Sequence, residues 1–100
     1  MDFKQIEAFV YVVRHKSFSR AADAIYLTQP TISAHINSLE KEIGLKLIDR
    51  SGKDIEPTEA GKLFYEHAVN LMNIRDNAVY SLSSYSNSLK GKIEIAASTV

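Results

Sequence analysis

One hundred residues, 45% of them hydrophobic, suit one small core with an appendage and are too few for two full domains. The absence of cysteine excludes a disulfide framework and a thiolate zinc finger, and no run of about 18 apolar residues is present to cross a bilayer. Lysine plus arginine and aspartate plus glutamate number 12 each, and residues 1–57 also balance at eight against eight, so any attraction to a polyanion must come from local arrangement.

The chain opens with a helical pattern over Asp2–His15 and no signal-peptide pattern. Asp2 followed three residues later by Gln5 has the form of a capping box, and Phe3, Ile6, Phe9, Val10 and Val13 fall on one stripe. Phe18–Tyr26 predicts a second, short helix, N-capped by Ser17 and ended by Leu27. Its inner face is Phe18, Ala21, Ala22 and Ile25, and the two alanines let another helix pack close.

The stretch Thr28–Leu39 carries no charge at all. Ile32, Ile36, Leu39 and Ile43 recur at steps of four, three and four, which places them on one face of a third helix. Thr28 is its expected N-cap, Pro30 lies in the first turn, and Gly44 closes it. The opposite face holds Thr31, Ala34, Asn37 and Ser38, flanked by Ser33 and His35. Soluble helices usually fill that face with Lys and Glu. Short polar groups instead permit close approach to another surface, and base edges in a DNA major groove are such a surface. Two short helices joined by a turn of about three or four residues form a helix-turn-helix, with the second helix as reader.

Lys46–Arg50 and Asp54–Glu56 flank Ser51-Gly52-Lys53 and predict a hairpin, the wing of such a domain. Pro57 ends it and Thr58 caps a last helix, with Glu59 favourable near the N-terminus. From Thr58 to Leu89 there is no proline, and the only glycine, Gly61, lies in the first turn. Such a helix is about 48 Å long, against roughly 25 Å for a compact core of residues 1–57. It must project. Leu71, Ile74, Ala78, Leu82, Tyr85 and Leu89 form its apolar stripe, which a second copy of the chain would cover. Serines between Ser81 and Ser88 predict fraying, Gly91 a break, and Ile93–Val100 the start of a strand.

Ser19–Ser33 (SRAADAIYLTQPTIS), Ile36–Arg50 (INSLEKEIGLKLIDR) and Pro57–Gly61 (PTEAG) resemble, in order and spacing, the N-terminal domain of LysR-type transcriptional regulators. The resemblance runs over roughly residues 2–90. It implies a mainly α fold: a winged helix-turn-helix of three helices plus a two-stranded wing at 1–57, and a linker and dimerisation helix at 58–89. Residues 90–100 would then begin an effector-binding domain. It further implies a bacterial, cytoplasmic and nucleoid-associated protein that is not an enzyme and needs no cofactor. Its expected partners are double-stranded promoter DNA and a second copy of itself. A full-length protein would form higher oligomers and bind a small-molecule co-inducer in its C-terminal domain. Two departures stand out. Ala34 occupies a position where many family members carry arginine or another long polar residue, and Ile48 one where phenylalanine is usual.

Gln29, Pro30, Thr31 and Ser33 lie at the end of the third helix that usually meets bases, although capping alone is the plainer reading of Thr28–Pro30. Arg50 at the end of the first wing strand, Lys53 at the wing tip, Arg20, His35 and the N-terminus of the second helix are candidates for phosphate or the minor groove. Ion pairs compete: Arg50 with Asp49, Asp54 or Glu56, and Arg20 with Asp23. Tyr26, Tyr65 and Tyr80 read as core or dimer packing, and His15, His35 and His67 lack metal-ligand spacing. The rival reading is a winged-helix module that binds a protein, for which the neutral charge speaks.

Overall fold

Asp2 starts the first helix, α1 (Phe3–His15), with a closed capping box: its carboxylate accepts from the Gln5 amide at 2.8 Å, and the Gln5 side chain accepts from the Asp2 amide at 3.3 Å. The computed structural model describes the backbone of residues 1–98 and the side chains of residues 1–92. After α1 come α2 (Phe18–Ala24), α3 (Gln29–Ile43), the strands β1 (Ile48–Asp49) and β2 (Glu56–Pro57), and α4 (Glu59–Ser98). Because α1 packs against α2, α3 and α4, it is covered over a wider arc than one stripe. Ala8 and Val12 are fully buried beside Ile6, Phe9 and Val10, Val13 is half-buried, and Phe3 lies exposed, not on the inner stripe.

The second helix ends earlier than the pattern predicts. Ile25 leaves helical geometry and Tyr26 takes a left-handed φ of 57°, while the Leu27 amide donates back to the Ala22 carbonyl at 2.9 Å. That turn throws Tyr26 outward, 94% exposed, so it is not a core residue. Ala21 and Ala22 are buried as expected, with Phe18 and Ile25 half-buried against the core. In α3, Ile32, Ile36 and Leu39 are fully buried, Thr28 caps through its hydroxyl, and Gly44 closes the helix at φ 83°.

A buried carboxylate joins α3 to the wing. Glu40 accepts from the Leu47 amide at 2.7 Å and the Ile48 amide at 3.3 Å, and Lys46 Nζ stands 3.9 Å away. Antiparallel pairing then sets Ile48 opposite Pro57 and Asp49 opposite Glu56. The strands are shorter than the sequence suggests and the loop between them longer. Asp49 explains this locally, since its carboxylate accepts from both the amide (2.9 Å) and the hydroxyl (2.6 Å) of Ser51. Such a side-chain turn competes with the strand ladder directly after β1.

Thr58 fastens the start of α4 to the wing. Its amide donates to the Leu47 carbonyl at 3.0 Å, and its hydroxyl donates to the Lys46 carbonyl at 2.6 Å while accepting from the Gly61 amide at 3.0 Å. A Cβ on Gly61 would fall 2.0 Å from the Leu47 carbonyl oxygen, so this approach requires glycine. The first turns of α4 complete the core: Ala68 is fully buried, and the Phe64 ring meets Phe9 edge-on at 5.3 Å. Beyond them the helix projects, giving an overall length of 69 Å against 24 and 19 Å in the other directions. It runs through Ser81–Ser88 and Gly91 without fraying or breaking, and residues 93–98 continue it where a strand was expected. Serine and glycine each cost at most about 1 kcal/mol relative to alanine, too little to interrupt a helix that is already propagating. The last two residues of the expected strand, Thr99 and Val100, lie outside the described residues.

Candidate nucleic-acid interface

The N-terminal half of α3 lies open to solvent. Gln29, Pro30, Ala34, Asn37 and Ser38 are exposed, and Thr31, Ser33 and His35 are half-buried. With side chains three or four residues apart sharing a face, Gln29 and Ser33 form one flank and Thr31 and His35 the other. Pro30, Ala34, Asn37 and Ser38 form the crest between them. The crest is uncharged and built of short side chains, so nothing on it holds an approaching surface away.

The candidates are not all brought together. His35 and Thr31 line a hollow with Lys4, Glu7, Ile25 and Leu27, on the side of α3 facing α1 and away from Gln29 and Ser33. The Thr31 hydroxyl is already engaged by that of Thr28 at 2.9 Å, so it takes part in the cap. Toward its C-terminal end the crest joins a second hollow, lined by Asn37, Ser38, Glu40, Lys41 and Lys46 among others, where Lys46 stands beside Lys41 of the same helix and 3.9 Å from the Glu40 carboxylate, which offsets part of the charge.

On the wing, Arg50 has no carboxylate within ion-pair distance among the described residues. Its guanidinium lies over the Phe18 ring, 4.3 Å from the centroid. The Asp49 carboxylate is occupied by Ser51, whose hydroxyl and then amide donate to it and hold it below the usual carboxylate pKa; desolvation opposes them. Arg20 is exposed and forms no pair with Asp23 among the described residues. Lys53 is exposed at the wing tip, but it shares a shallow hollow with Asp49, Asp54 and Glu56, which offset its charge. The positive character of the wing therefore sits at its base, with Arg50.

Sequence reasoning passed over two residues that matter here. Glu40 holds the wing to α3; the available signal was a carboxylate one helical turn beyond the buried Ile36. Phe18 belongs to the inner face of α2, yet it also carries Arg50, and no local pattern announces a contact between residues so far apart.

Along α4, Leu71 is half-buried against the core, while Ile74, Ala78, Leu82, Tyr85 and Leu89 are exposed. Val79 and Tyr80, which the stripe did not include, are exposed too. Where the helix leaves the body, Arg75 is held by Glu7 at 3.7 Å, by Asp76 at 3.2 Å and over the Phe3 ring at 5.3 Å. Nearer the start of α4, Arg14 Nε donates to the Tyr65 hydroxyl at 3.1 Å. Among the described residues no cluster of His, Cys, Asp or Glu is placed to hold a metal, and no helix is long and apolar enough to cross a membrane.

Three helices, a hairpin packed after the third, and an open polar N-terminus on that third helix define a winged helix-turn-helix domain. The chain belongs to the lysR family of bacterial regulatory helix-turn-helix proteins, whose sequence model matches residues 3–62. Among its relatives, the transcriptional regulator CitR of Bacillus subtilis is 33% identical over 98 residues, which are 98% of this chain and 34% of CitR. The chain thus spans about a third of the length of that regulator. The DNA-binding domain of BenM, a regulator of Acinetobacter baylyi, crystallised with catB site 1 DNA, superposes with a TM-score of 0.83 at 32% identity. That match covers 86% of this chain and 97% of the BenM domain. DarR of Vibrio fischeri, also in complex with DNA, gives a TM-score of 0.81 at 37% identity over 87% of this chain and 30% of DarR.

Proposed function

We propose that the chain binds double-stranded promoter DNA in a sequence-specific manner, as a homodimer, and so regulates transcription. The observation that carries this reading is the open, uncharged crest of α3 with Arg50, free of ion pairs among the described residues, at the base of the adjacent wing. Gln29, Pro30 and Ser33 meet base edges, with Gln29 able to bond an adenine through both amide atoms. Arg50, Arg20 and Lys53 take phosphates, or in the case of Arg50 the minor groove. Thr31 chiefly fixes the helix start, and His35 reaches at most the sugar-phosphate edge from its flank. The exposed stripe of α4 from Ile74 to Leu89 pairs with its copy, so that two α3 helices reach half-sites one helical turn or a multiple apart. In a longer protein of the length of CitR, residues 90–100 lead toward a domain that binds a small-molecule co-inducer and supports higher oligomers. The protein would work in the cytoplasm, at the nucleoid.

Selection of bound duplexes from a random pool tests the reading. The expected result is an enriched motif with two-fold symmetry, which Gln29→Ala or Ser33→Arg relaxes while Lys53→Ala weakens all duplexes alike. Failure to enrich any motif at low salt would overturn it.

A further inference from the structure

We propose that Phe18 is a positioning residue for DNA binding: its ring holds the Arg50 guanidinium ready for a DNA phosphate. The inference rests on the function proposed above. Phe18 is the first residue of α2, directly after the Ser17 cap, whose hydroxyl accepts from the Arg20 amide at 3.1 Å. It is half-buried and packed against the core, so its ring is fixed by the body of the domain. Arg50 stands at the opposite extreme, just past the two-residue strand β1 and at the start of a long loop. A free arginine there would sample many rotamers and lose that freedom on meeting a phosphate. The ring removes part of the loss beforehand, since its 4.3 Å contact with the guanidinium already restricts the side chain.

The choice of an aromatic partner over an acid also has a chemical consequence. A carboxylate would take two of the guanidinium N–H groups and cancel the charge. An aromatic face attracts the cation through its quadrupole and uses none of the five donors. The nearest acids reinforce this, because Asp49 is tied to Ser51 and neither Asp54 nor Glu56 reaches Arg50. Arg50 thus keeps its full charge and all its donors while losing part of its mobility.

The test titrates the chain with random-sequence duplex of about 40 base pairs across a series of salt concentrations, following fluorescence anisotropy. Arg50→Ala should weaken binding and lower the slope of log K against log salt by about 0.9 for each phosphate no longer neutralised. Phe18→Leu, which leaves every charge in place, should weaken binding about two- to five-fold per protomer and leave the slope unchanged, because Arg50 still neutralises the same phosphate. Phe18→Tyr should restore the affinity, and Phe18→Leu combined with Arg50→Ala should bind no worse than Arg50→Ala alone. A purely structural role would lower the melting temperature and weaken binding as much in the Arg50→Ala background as in the wild type. If Phe18→Leu does not fold, Arg50→Lys carries the test, because it keeps the charge but lacks the planar group that stacks. It should lose affinity about two- to five-fold, and wild-type affinity there would overturn the proposal. A Phe18→Leu protein that binds like wild type, or effects of the two variants that simply add, would overturn it as well. Were Arg50→Ala to bind as tightly as wild type, the proposal alone would fall. No binding by the wild-type chain at low salt would remove the underlying function too.

Discussion

Two faces of this molecule lie open, and they differ in kind. The crest of α3 is polar, uncharged and short, while the projecting half of α4 shows Ile74, Val79, Tyr80, Leu82 and Tyr85, each more than half exposed. Both helices follow the same period. In α3 the apolar face is used inside the domain by Ile32, Ile36 and Leu39, so what remains outside can serve a hydrated partner. In α4 the core ends near Met72, and the apolar stripe continues beyond it with nothing among the described residues of its own chain to cover it. A polar crest suits a surface that brings its own hydrogen-bonding groups; an uncovered apolar stripe suits a like surface.

Leu82→Glu strikes this contrast hardest, because it places a charge in the middle of the α4 stripe. The chain should sediment as a monomer, and affinity for a two-half-site duplex should fall on the order of 100-fold or more once the two reading helices are no longer linked. A dimer that persists at unchanged concentration would show that the stripe is not the interface. Glu40→Ala comes next. It orphans the Leu47 and Ile48 amides and should lower unfolding free energy by about 2–4 kcal/mol in urea titration, with the wing loosened and α3 intact. In the opposite direction, Lys16 adopts φ 53° at the C-cap of α1, so Lys16→Gly should stabilise by about 0.5–1 kcal/mol.

The smallest effect concerns the wing and pH. Ser51 lowers the Asp49 pKa from its ordinary value of 3.8, so the stabilisation is complete above that value and is lost as pH falls through the lowered one. Ser51→Ala should move the Asp49 carboxyl midpoint, read by NMR, back toward 3.8 and reduce the acid sensitivity of the wing. An unchanged midpoint would mean that the amide of residue 51 alone sets the shift.

Local rules carried much of the fold. The Asp2–Gln5 box, the Ser17, Thr28 and Thr58 caps, the left-handed Gly44 and the inner face of α3 all depend on residues within about one turn of each other, and each stands where the pattern places it. Tertiary structure decided the rest, because the partners come from distant elements. Glu40 finds the amides of Leu47 and Ile48, Arg50 finds Phe18, Gly61 passes beneath the Leu47 carbonyl, and Arg75 closes on Glu7 and Phe3. Periodicity tells which way a residue faces along its own axis. It does not tell what the neighbouring element puts opposite, and that set the exposure of Phe3, the position of Arg50 and the point where α4 leaves the core.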